Sequence, residues 1–203
     1  MMSLSEPFGL RTVCVQLGPD LLSAEVRSGA RVVAHSEMRL AASGADGGRS
    51  AALEALRNYL AQAGITLRGA PLALAIDARW CEITMLPWSD ALMYDAGARR
   101  YCDAWFAARF GAAAHGRSIS CDDAPVGAPR LACGVAREFL DALRHIAVQS
   151  GHPCVVIAPN LLLAPRPTLP AAQAGAAYAP FEAPPQMPLA AGHGTMSWVL
   201  TAP

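Results

Sequence analysis

Apolar and polar positions near the start of the chain follow the period of strands. Thr12-Val-Cys-Val-Gln-Leu-Gly18 alternates and runs into Pro19, a turn signal. Residues 21–27 predict a second strand, Ser28-Gly29 supplies a two-residue hairpin turn, and residues 31–40 predict a third strand. Together they read as an antiparallel meander whose first strand is ready to become central. Residues 41–48, built of Ala, Ser, Gly and Asp, read as a flexible loop.

The period then lengthens to that of a helix. Leu53, Leu56, Leu60 and Ala63 fall on one face, Ser50 stands where its hydroxyl can cap the first turn, and Gly64 stands at the C-cap. Residues 71–88 are the stretch around which the rest is organised. Leu72–Ile76 is almost wholly apolar, as expected of a strand covered on both faces, and Asp77-Ala78-Arg79 breaks it. Cys81–Leu86 resumes as a strand and Pro87 stops it. Strand, helix and strand in one sheet imply a right-handed crossover. The 71–88 unit therefore reads as a joint, its first strand completing the core sheet and its second leading away from it.

Asp90 is placed to cap a long helix over 90–110. Leu92, Ala96, Tyr101, Trp105 and Phe106 point to a core, Arg99, Arg100, Asp103 and Arg109 to water, and Gly111 ends it. Arg117–Cys121 and residues 130–135 predict a hairpin across the acidic, Pro-rich turn 122–129. Arg137–Gln149 predicts a helix with Phe139, Leu140, Leu143, Ile146 and Ala147 on one face, closed by Gly151. Residues 154–158 predict a last buried strand. Residues 163–194, dominated by Pro, Ala, Gly and Gln, read as a linker or tail without a core, and 195–203 as a terminal strand.

Composition narrows the function more than it defines it. The formal charge is +0 with 16% charged residues, all bases are arginine, and no footprint for nucleic acid or anionic membrane appears. The N-terminus lacks a basic region and apolar core, and no apolar run reaches the roughly 18 residues of a membrane span, so a cytoplasmic protein is expected. In that reducing compartment Cys14, Cys81, Cys102, Cys121, Cys133 and Cys154 read as buried structural thiols. They show no Cys-x-x-Cys and no Cys–His spacing for zinc. His35, His115, His145, His152 and His193 read as surface or capping groups. Gly-x-Ser-x-Gly and phosphate-loop patterns are absent.

The collected order is three strands, helix, strand, strand, helix, hairpin, helix, strand. It resembles the α/β (α+β) fold of the ribonuclease H/actin superfamily, a βββαβ core with an inserted helix–hairpin–helix subdomain. The insert is similar to that of bacterial actin-like pilus-assembly proteins of the PilM family and of the cytoplasmic part of the secretion protein GspL. The residues carrying the resemblance are Val13-Cys-Val-Gln-Leu-Gly18, Ile83-Thr-Met-Leu-Pro87, Arg130-Leu-Ala-Cys-Gly-Val-Ala136 and Gly151-His-Pro-Cys-Val-Val-Ile-Ala-Pro159. The resemblance implies a flexible 1–10, a first actin-like lobe over 11–162 (core 11–87 and 152–162, insert 88–151), and no second lobe.

Departures from the family matter as much. Actin-like ATPases carry an acidic residue on the first strand, where this chain has Gln16, and Pro19 removes an N–H that could face phosphate. The expected role is therefore non-enzymatic and without cofactor or metal. It is docking protein partners in a type IV pilus or type II secretion-like machine at the inner membrane, without membrane insertion or nucleic acid, with a homodimer also admitted. Trp80, Trp88, Arg99 and Arg100 are the candidate interaction residues, because Trp and Arg are enriched at interaction hot spots. The alternatives are a divalent-metal hydrolase or nuclease using Glu54, Asp77 and Asp122, or a degenerate one-lobe remnant of an actin-like ATPase.

Overall fold

The computed structural model describes residues 11–41, 46–63, 67–122 and 124–160. The expectations for 1–10, Gly64, 163–194 and 195–203 lie outside the described residues. Strands β1 (Arg11–Leu17), β2 (Leu21–Ser28) and β3 (Arg31–Arg39) form the meander, followed by helix α1 (Arg49–Ala63) and strand β4 (Leu72–Ile76). Next come β5 (Cys81–Leu86), α2 (Asp95–Phe110), β6 (Arg117–Cys121), β7 (Arg130–Ala136), α3 (Arg137–Gln149) and β8 (Cys154–Pro159). Among the described residues the strands make two sheets, one ordered β3-β2-β1-β4-β8 and one ordered β5-β7-β6.

β1 is central, as its pattern predicts. Val13 lies opposite Val26 of antiparallel β2 and opposite Leu72 of parallel β4. Val13, Val15 and Leu17 of β1, Leu22, Ala24 and Val26 of β2, and Leu72, Leu74 and Ile76 of β4 are buried on one face. Leu56 and Leu60 of α1 and Leu140, Leu143 and Ile146 of α3 cover that face. Each such side chain, moved fully out of water, stabilises the fold by about 1.5–3 kcal/mol before entropy is counted. On the other face Gln16 and Arg27 are exposed, and Ala73 and Ala75 are half-buried. Leu72–Ile76 is thus fully covered on one face rather than two. Two alanines make the run look apolar without requiring burial.

The doubly covered strand is β7. Ala132 faces the small core of Leu86, Leu92, Cys102 and Phe106, and its neighbour Cys133 faces the main core. Gly134 allows the close approach of α2, since a Cβ there would stand 2.6 Å from Phe106 Cε1. The expected division of the chain shifts accordingly. β5, expected in the core of residues 11–87, pairs with β7 in the second sheet. α3, expected in the insert 88–151, packs on the main sheet. The joint itself is as expected: β4 completes the main sheet and β5 opens the second.

Three local expectations are corrected. Asp46, not Ser50, caps α1: its carboxylate accepts from Ser50 N at 2.7 Å and Gly48 N at 3.1 Å. The helix expected over 90–110 breaks near its start, because Ser89 caps a separate 3-10 turn, Asp90–Met93, before α2 begins at Asp95. Gly97 makes room for that turn, since a Cβ would lie 2.5 Å from Ala91 O. One consequence is that Ala96 is exposed, and Cys102 joins Phe106 as the buried stripe of α2. Finally, His152 is buried rather than on the surface. Its Nδ1 donates to Ala70 O at 2.9 Å and its amide to Ala147 O at 2.9 Å, tying the end of α3 to the approach of β4.

Candidate functional site

A cleft of about 170 Å³ opens where β1 and β4 end, between Gln16, the Gly18–Asp20 turn, Ser23, Asp77 and Arg79. Strand geometry creates it. Leu17 O accepts from Asp77 N at 2.9 Å, so the two chains leave the sheet together and diverge. The Gly18 amide is taken up by Leu21 O at 2.8 Å, and Pro19 has none to offer.

Arg79 fills the charge of this cleft from within. Asp77 accepts from Arg79 N at 2.9 Å, Nε at 3.0 Å and Nη2 at 3.2 Å, capping the 3-10 turn Ala78–Trp80. The Arg79 side-chain hydrogen bond holds the Asp77 carboxyl below its ordinary range, against the opposing effect of burial. Asp20 lies 3.8 Å from the same guanidinium. Two carboxylates and one arginine leave the mouth with net negative charge, the wrong sign for a phosphate. Gln16 reaches this face uncharged, in agreement with its reading from sequence.

The carboxylates of the hydrolase alternative are not brought together. Glu54 is exposed on α1, Asp77 is bonded to Arg79, and Asp122 Oδ1 accepts from Leu131 N at 3.1 Å in the β6–β7 hairpin. Among the described residues no three His, Cys, Asp or Glu side chains converge as a metal site would require.

The four interaction candidates fall into different environments. Trp80 is buried, with Nε1 donating to Gly47 O at 2.9 Å and its ring edge-on to Phe139 at 5.2 Å. It holds α1, β5 and α3 together and is not presented to a partner. Trp88 is half-buried, with the Arg130 guanidinium 5.9 Å from its ring centroid. Arg99 and Arg100 are exposed on α2. On the inner side of the same helix, Trp105 has a buried Nε1 with no hydrogen-bond partner among the described residues.

A second, narrower cleft had no sequence signal. It runs between the two sheets, with Ser118 and Ser120 of β6 on one side, Ile157 and Pro159 of β8 on the other, and Leu140 of α3 at its floor. β6 and β8 each end their sheet, so among the described residues each has one unpaired backbone edge beside this slot.

Neither a protein-family model nor a curated protein matches the sequence. Solved structures do. The cytoplasmic domain of EpsL, an inner membrane component of the type II secretion system of Vibrio cholerae, superimposes with a TM-score of 0.58 at 15% identity over 78% of this chain. A structure of the PilM–PilN type IV pilus biogenesis complex matches with a TM-score of 0.55 at 12% identity over 76%. A Bacteroides thetaiotaomicron protein with an actin-like ATPase fold and unknown function matches with a TM-score of 0.51 at 10% identity over 80%. The chain has an actin-like fold. It spans 60%, 48% and 57% of those chains, respectively.

Proposed function

We propose that this chain is a non-catalytic actin-like docking protein of a type IV pilus or type II secretion-like machine, held at the inner membrane through its partners. The slot between β6 and β8 is the observation that carries this reading. Two open sheet edges flank an apolar floor, which suits an extended partner segment whose backbone adds to an edge while its side chains enter the slot. Likeness of fold to the EpsL cytoplasmic domain and to a PilM–PilN complex supports the class of partner. The Asp77–Arg79–Asp20 arrangement supports the absence of nucleotide turnover, since the cleft offers phosphate carboxylates and no free amide at Gly18 or Pro19. Among the described residues no helix is long and apolar enough to cross a membrane, which fits attachment through others. Arg99 and Arg100, exposed on α2, and the half-buried Trp88 are further candidate contact residues.

Crosslinking and co-purification from the native host test the proposal. Recovery of an inner-membrane pilus or secretion component is expected, with recovery reduced when Ser118 and Ser120, which line the slot, are replaced by phenylalanine to fill it. Such variants must first retain the wild-type circular dichroism spectrum. Recovery of no such component, or measurable ATP hydrolysis by the purified protein, would sink the reading.

A further inference from the structure

β3 ends the five-stranded sheet, and among the described residues no strand pairs with its outer edge. Seven residues in a row, Arg31–Glu37, are exposed, with Val32 at 43% and Val33 at 46%. The strand is regular over part of its length only. Ala34 lies opposite Val26 and Val32 opposite Arg27, so Val33 is an extra residue that bulges it. From Ala34 onward the ladder is unbroken: Ser36 faces Ala24, Met38 faces Leu22, and the Leu40 amide donates to Asp20 O at 2.8 Å. Backbone polar groups alternate in direction along a strand. Those of Ala34, Ser36 and Met38 therefore point to β2, while those of His35, Glu37 and Arg39 point outward, open to another strand.

The side chains sort by face in the same way. His35 and Glu37 share the outer face with Glu25, which lies opposite His35 on β2 and is paired with Arg27 at 2.6 Å. His35 Nε2 and Glu37 Oε1 lie 3.3 Å apart. Ala34, Ser36 and Met38 share the face that α1 and α3 cover further in. Ala34 and Ser36 are nevertheless exposed, so no described helix overhangs this edge. A formal charge of +0 leaves two copies of the chain without net repulsion.

We infer that two copies of this chain pair through β3, antiparallel, about a two-fold axis at Ser36. In that register each His35 faces Glu37 of the second copy, so an imidazole N–H meets a carboxylate in both pairs. The backbones of these facing residues exchange hydrogen bonds, since theirs are the groups that point outward. On the other face Ala34 meets Met38 of the second copy, a small side chain against a long one. Shifting the axis by one residue is opposed by the side chains: at His35 it sets two imidazoles face to face, and at Glu37 two carboxylates. The bulge at Val33 bars registers nearer Arg31, and the strand ends at Arg39 on the other side. The contact is isologous and makes one ten-stranded sheet with β8 at each end, so both slots beside β8 stay open. It is independent of the docking reading and stands if that reading fails.

The test uses the whole chain at neutral pH. Sedimentation equilibrium should show a mass that rises with concentration from 21.2 kDa toward twice that value, because a contact of one strand is small enough to exchange. Glu37→Arg should weaken association at least about tenfold, and adding His35→Glu should restore it by exchanging the two charges. Both side chains are exposed, so neither change disturbs a core. Ser36→Cys places two thiols at the axis, in a non-hydrogen-bonded pair with Cα atoms about 4.5 Å apart, which a disulfide can span. Mild oxidation should lock that variant as a covalent dimer. His35→Cys, whose thiol faces Glu37, should crosslink no more than wild type. A mass fixed at 21.2 kDa up to about 1 mM, a dimer insensitive to Glu37→Arg, or one that Ser36→Cys fails to lock would each overturn the inference.

Discussion

The five-stranded sheet carries two helices, and Leu56, Leu60, Leu140, Leu143 and Ile146 enter its core together. The three-stranded sheet carries one helix, and Phe106 is the large side chain of α2 that is fully buried against it. Redundancy is the difference. In the large core one truncated leucine leaves many neighbours to close around the gap. In the small core Phe106 fills the space over Gly134 and stacks with Phe110 at 5.2 Å, so no second side chain does its work. The two layers are nevertheless joined along β7, whose residues alternate between them.

Removing the Phe106 ring should separate the layers most sharply. Phe106→Ala is expected to cost about 3–5 kcal/mol, the range for deleting a buried aromatic. Urea unfolding gives the total, and hydrogen exchange should show larger losses of protection in α2, β5 and β6 than in β1 and β4. Equal losses in both sheets would mean that β7 makes them one cooperative unit. A milder attack on the same contact is Gly134→Ala, where the new Cβ must displace the ring from 2.6 Å, at a cost of about 1–3 kcal/mol by overpacking. If calorimetry finds that substitution neutral, α2 sits more loosely than the comparison requires.

The smallest expected effect tests the main sheet at its open end. Asp77→Ala removes the cap of the Ala78–Trp80 turn and should cost about 1 kcal/mol at neutral pH. The folded protein holds the Asp77 carboxyl below its ordinary range through Arg79. Its contribution is therefore present above the unfolded value of about 3.9 and is lost as pH falls through the lower folded value. Wild type and variant should converge in stability in acid, and a gap that persists below that range would assign the loss to packing instead.

Much of this fold was legible because strand and helix periods survive in the sequence. α3 could be bounded and its buried face named, since Phe139, Leu140, Leu143, Ile146 and Ala147 leave few other arrangements. Which layer it joins was not legible, because an apolar stripe specifies burial and not its partner. Trp80 and Trp88 look alike in sequence, both at the borders of β5, yet one is locked on Gly47 and Phe139 while the other lies beneath Arg130. Of the first cleft, the uncharged Gln16, the missing Pro19 amide and the strand break at Asp77 could be read locally. The guanidinium that neutralises Asp77 could not be assigned before the turn was known.

The order in which the strands are synthesised differs from the order in which they lie. β4 is made early, but its neighbour β8 follows only after the whole second sheet, α2 and α3. A chain emerging from the ribosome N-terminus first can pair β1, β2 and β3 by short turns. It must then leave one side of β4 open until the intervening segment has been made. Closing that long loop is entropically opposed unless its ends are already near each other. The antiparallel β6–β7 hairpin is local enough to form first, and it hands the chain directly into α3. Assembly of the second sheet is thus a timing device for the first, and substitutions at Gly134 or Phe106 should slow the arrival of a strand they never touch.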